Sequence, residues 1–65
     1  MDWPKVIKEI LEHHDITQYR LGKMTGVSKT HINHLILGER KDPSFTIGLK
    51  IINLHPNKRE YLENN

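Results

Sequence analysis

Two helix starts of the same design, eleven residues apart, do most to limit what this chain can fold into. Thr17 can cap one helix, with Ile16 before it and Leu21 four residues into it. Ser28 can cap another, with Val27 before it and Ile32 four residues in. A hydroxyl cap satisfies a backbone N–H that the first helical turn leaves orphaned, and the flanking apolar pair staples the entering chain to that turn. Gly26 stands between the two, suited to the positive φ that ends a helix. Only about three residues remain to link the helices, so they must meet at a tight corner.

The rest of the chain reads as helix too. Ile7, Ile10, Leu11 and His14 share one face of a first helix, with Lys5, Lys8, Glu9 and Glu12 on the other. Asp2 is a good cap for it, and Pro4 is tolerated in a first turn, where its missing N–H has no partner to lose. The second corner helix should end near Gly38, and Glu39 to Pro43 reads as a charged loop. Ser44 should cap a fourth helix that buries Phe45, Leu49 and Ile52, with Ile51 helping. His55-Pro56-Asn57 breaks the pattern, and residues 58–64 suffice for one or two further turns carrying Tyr61 and Leu62. No alternating strand pattern of useful length occurs. The expected fold is all-α, a compact bundle of four to five short helices forming one domain over residues 1–65.

Size and composition narrow the function classes. A chain of 65 residues buries only about 60% of its unfolded surface, which leaves little core beside which to build a deep catalytic cavity. There is no cysteine, so disulfides, Cys-based zinc sites and thiol nucleophiles are excluded. No apolar run approaches membrane-spanning length, and the N-terminus lacks the charge-then-apolar order of a signal peptide. A soluble, cytoplasmic protein is therefore expected. The net charge of +2 is unevenly spread. Residues 1–16 sum to −2, residues 17–41 to +4, and residues 42–65 to zero. A basic segment in an otherwise balanced domain is the electrostatic footprint of a polyanion binder.

The run from Thr17 to Leu35 (TQYRLGKMTGVSKTHINHL) resembles the helix-turn-helix of lambda-type phage repressors and Cro proteins. Thr17-Gln18 opens the first helix, Gly22 supplies a small residue, Gly26-Val27-Ser28 forms the turn, and Ile32 and Leu35 face inward. Gly38, Pro43-Ser44 and the apolar fourth helix continue the likeness, which covers residues from about Ile7 to Leu54. It implies a helix-turn-helix over roughly Thr17 to Leu37, with the second helix laid in the major groove of duplex DNA. Lys29, Thr30 and His34, and in some members the position of Asn33, would read base edges. Gln18 would hold a phosphate, with Tyr19, Lys23, Ser28, Arg40 and Lys41 as further phosphate contacts. The chemistry of these side chains agrees. Lysine can donate to guanine O6 and N7, threonine can bond or pack on the thymine methyl, and asparagine can pair with adenine. A helix N-terminus such as that of Gln18 favours an anion.

The likeness has departures. Where many members pair an arginine in the first helix with a glutamate ending the recognition helix, this chain carries Leu11 and Ile36, an exchange of an ion pair for an apolar contact. His14 stands where an aliphatic residue is usual, and Leu37 where polar residues are common. Gly22 is expected at the closest approach of the paired helices, so leucine there should overpack, while alanine should be harmless or mildly stabilising.

The histidines have plainer readings. His31 and His34 have a spacing that can hold a metal, but no carboxylate or cysteine nearby in sequence completes a set. His13, His14 and His55 read as surface or half-buried residues, and Trp3 as a hydrophobic cover on the first helix. Without a nucleophile–base constellation no enzyme is expected, and no cofactor, metal, membrane or small-molecule ligand. The function expected is sequence-specific binding to duplex DNA by a Cro- or repressor-type transcriptional regulator of phage or bacterial origin. No inducer pocket or separate dimerisation module is expected. A weak homodimer, or one formed on a near-palindromic operator, is expected to use the C-terminal third, with Leu54, Tyr61 and Leu62 as candidates. The alternative is an antitoxin-like or adaptor module that keeps the fold for protein contacts.

Overall fold

The computed structural model describes residues 1–39 and 43–62, and these form five α-helices and no strand. They are α1 (Trp3–His14), α2 (Gln18–Thr25), α3 (Lys29–Leu37), α4 (Phe45–Ile52) and α5 (Lys58–Leu62). Each of the first four begins where a side-chain oxygen takes a free backbone N–H. Asp2 accepts from Lys5 at 3.2 Å, Thr17 from Arg20 at 3.1 Å, Ser28 from His31 at 3.1 Å and Ser44 from Ile47 at 3.3 Å. Asp15, Gly26 and Gly38 stop α1, α2 and α3 in the left-handed conformation.

The core is made by Trp3, Val6, Ile7 and Ile10 of α1, Leu21 of α2, Val27 of the turn, Ile32 and Leu35 of α3, and Ile51 and Ile52 of α4. Both expected staples have their inner members buried, Leu21 and Ile32 completely. Leu11 and Ile36 are half-buried and pack against this core.

The fourth helix departs from expectation. Phe45, expected inside, is 80% exposed, and Leu49 is only half-buried. The inward face is instead Gly48, Ile51 and Ile52, because the Trp3 indole fills the space over Gly48. A Cβ at Gly48 would stand 3.4 Å from that ring. Burying Trp3 therefore rotates α4 and turns Phe45 outward.

His55 is the second departure: its side chain is 1% exposed. The Asn57 backbone N–H donates to its Nδ1 at 3.0 Å, so Nε2 carries the proton and donates to Glu9 Oε1 at 3.2 Å. The ring also meets Tyr61 edge-on, at 5.0 Å between centroids. At the neighbouring Leu54, the carbonyl accepts from His14 Nε2 at 2.7 Å. These two histidines tie α1 to the turn between α4 and α5.

At the corner, Gly22 is buried, and a Cβ there would lie 2.5 Å from the Val27 carbonyl oxygen and 3.6 Å from Ile32 Cδ1. The close approach expected at Gly22 is present, but its near neighbour is backbone. The expectation that alanine is harmless is thereby overturned, since the better helix propensity of alanine is set against a clash that no side-chain rotation relieves. Gly22→Ala should cost about 1–3 kcal/mol of stability, and Gly22→Leu at least as much. Urea unfolding would check this. An alanine variant as stable as the parent would mean that the corner can open.

Candidate nucleic-acid interface

The outer face of α3 follows from its inner one. Ile32 and Leu35 are fully buried, so the helix turns Lys29 and Thr30 into solvent and leaves Asn33 and His34 half-exposed at its flank. The αL turn at Gly26, where φ is 73°, lets α3 start almost at once after α2 and points the first turn of α3 across that of α2.

An open cleft of about 770 Å³ lies between those two helix starts, lined by Thr17, Gln18, Tyr19, Lys29, Thr30 and Asn33. A second hollow, of about 380 Å³, adjoins it and joins Tyr19, Lys23 and Ser28 to Gly22, Gly26, Val27 and Lys29. Three of the four expected base-reading residues thus share a cleft with Gln18 and Tyr19, and the remaining expected phosphate contacts of α2 and the turn share the next. Tyr19 is 60% exposed, and the Lys23 ammonium lies 5.3 Å from its ring centroid. That cation–π contact holds a positive charge and a hydroxyl-bearing ring together at the rim. The Ser28 hydroxyl already accepts the His31 N–H, and its own proton is left to give.

His34 is not in the cleft lining. It lies on the next turn of α3, where its Nε2 is 3.6 Å from Glu39 Oε2. Sequence reasoning passed over Glu39, although its place directly after Gly38 was the available signal. Thr17 was read only as a cap and also lines the cleft. Arg40 and Lys41 lie outside the described residues. Leu37 is 60% exposed, and nothing in the structure explains it.

Of the residues expected at a dimer surface, Leu54 and Tyr61 are half-buried against the core and Leu62 is exposed. Tyr61 and Leu62 also line a hollow of about 180 Å³, together with Met1, Phe45 and Leu49, around which exposed apolar surface gathers. No helix among the described residues is long and apolar enough to cross a membrane.

Among curated proteins and among solved structures, none matches the chain significantly. The family model described as helix-turn-helix matches residues 7–62, nearly the whole chain. This chain belongs to the lambda-repressor-like helix-turn-helix family of DNA-binding regulators.

Proposed function

We propose that residues 1–65 act as one domain that binds duplex DNA in a sequence-specific way, as a Cro- or repressor-type transcriptional regulator of phage or prophage origin working in the cytoplasm. The observation that carries this reading is the two-sided α3: a buried apolar face opposite Lys29, Thr30, Asn33 and His34, beside the N-termini of two helices. Laid in the major groove, that face brings the four side chains to base edges. Gln18, Tyr19, Lys23, Ser28, Arg40 and Lys41 then take phosphates, which position the protein without specifying sequence.

A near-palindromic operator calls for two copies. The apolar hollow beside Phe45, which Tyr61 and Leu62 help to line, supports pairing there, whereas Leu54 is partly turned onto the core. Few apolar side chains are exposed there, which favours pairing on DNA over a stable dimer in solution.

Selection of bound duplexes from a random pool tests the reading. The parent should enrich a near-palindrome. Thr30→Ala or His34→Ala should keep the fold and relax one or two positions per half-site, each by about 1–3 kcal/mol. A pool that emerges unenriched would remove the sequence-specific reading.

A further inference from the structure

We propose that Glu39 is a specificity-determining residue. With His34 it forms a joint hydrogen-bond acceptor that selects an amino base, adenine or cytosine, over a keto base, guanine or thymine, on the contacted strand. This rests on the reading of α3 as the helix that meets the bases.

The pair is fixed by backbone. Gly38, with φ of 75°, lets its own N–H bond the Leu35 carbonyl at 3.2 Å and the Glu39 N–H bond the His34 carbonyl at 3.0 Å. That doubly bonded helix end brings the residue after the glycine back over the residue five before it, where an apolar contact is usual. Here the two residues brought together are Glu39 and His34, and their side chains meet at 3.6 Å. Glu39 is the side chain that the geometry of the helix end delivers to His34.

Its chemistry then sets the polarity of the ring. At 3.6 Å the contact is longer than a hydrogen bond, but a carboxylate only accepts, so its charge favours a neutral imidazole with Nε2–H toward it and Nδ1 left as an acceptor. The second carboxylate oxygen is an acceptor as well. The His34 side chain is 40% exposed and that of Glu39 57%, so both can meet a further partner. In the major groove adenine N6 and cytosine N4 offer donors, whereas guanine O6 and N7 and thymine O4 offer only acceptors. An acceptor pair therefore favours the first two. Without the carboxylate the imidazole is free to use either tautomer and can donate to a keto base. The same carboxylate also places a negative charge near a polyanion, which weakens binding to every sequence alike.

Glu39→Gln should consequently act in two directions. Affinity for an unselected duplex should rise, and discrimination at one position should fall. A residue that merely ends the helix would do neither, because both backbone bonds survive the substitution. The experiment is selection from a random duplex pool with the parent, Glu39→Gln and His34→Ala at one salt concentration, with melting curves and binding to an unselected duplex alongside. The parent should enrich one base pair at the position that His34→Ala relaxes, and should bind it less well when that pair lacks its major-groove exocyclic amino group. Glu39→Gln should relax that position by roughly tenfold, bind the unselected duplex more tightly and melt as the parent does. Parent affinity that survives removal of the major-groove exocyclic amino group from that base pair, or an unchanged pool with Glu39→Gln, would overturn the role of Glu39 alone. Absence of enrichment at every position would instead overturn the base-reading assignment, and this role with it.

Discussion

Raising salt from about 50 to about 200 mM should cost a pair of these chains roughly 10³–10⁵ in affinity for duplex DNA, provided that they touch about six to ten phosphates. The cause is counterion release. Each phosphate neutralised by a basic side chain frees condensed cations, and added salt opposes that release. The +4 carried by residues 17–41 is the source of the effect. Arg20, Lys23 and Lys29 of that segment are exposed on α2 and α3. Fluorescence anisotropy across a salt series would measure the slope. Gln18→Ala and Arg40→Ala should weaken binding to all sequences about equally, and Arg40→Ala should also flatten the slope. Binding that hardly changes with salt would count against duplex DNA as the partner.

The second large effect lies on the inner face of the same helix. Ile32→Ala should lower stability by about 2–5 kcal/mol, because the side chain is fully buried and its loss leaves a cavity that neighbours fill only in part. A domain of 65 residues has only about 3–10 kcal/mol in total, so much of the population should unfold. Molecules that remain folded should keep the parent sequence preference, since Thr30 and His34 lie on the other side of α3. Denaturation followed by circular dichroism, with operator selection on the folded fraction, would separate these outcomes. A change of preference without loss of stability would mean that the two faces of α3 have been assigned the wrong way round.

What the sequence reveals here is what is local. Hydroxyl caps at Thr17, Ser28 and Ser44 bond within three residues of themselves, and the glycines at 26 and 38 act on their own φ, so helix starts and stops were readable. The inward residues of α3 were readable because Ile32, Leu35 and Ile36 fall on one side, although Leu37, apolar and exposed, lies off it. The fourth helix was not readable in the same way. It offers two apolar stripes, and the choice between them falls to Gly48, which has no side chain to count, and to Trp3, 45 residues earlier. The buried His55 bonds Glu9, 46 residues away in sequence, and nothing adjacent to it announces that partner. Gly22 was placed correctly as a point of close approach. Its intolerance of alanine was missed, because helix propensity says nothing about a carbonyl oxygen that returns from the turn. The candidate site mixes both cases: the outer face of α3 follows from periodicity, whereas the His34–Glu39 pair depends on how a helix end folds back.

The Val27 carbonyl lies directly over Gly22, so α2 and α3 meet backbone to backbone at the corner. A corner held rigid by that contact would meet a duplex already shaped, and would spend little ordering entropy on arrival. Any misfit must then be absorbed by the duplex, as bend, twist or groove compression. The stiffness of base pairs lying between the two half-sites, touched by no side chain, would enter the binding energy on that account. Operators alike at every contacted position should therefore rank by how readily their central steps deform.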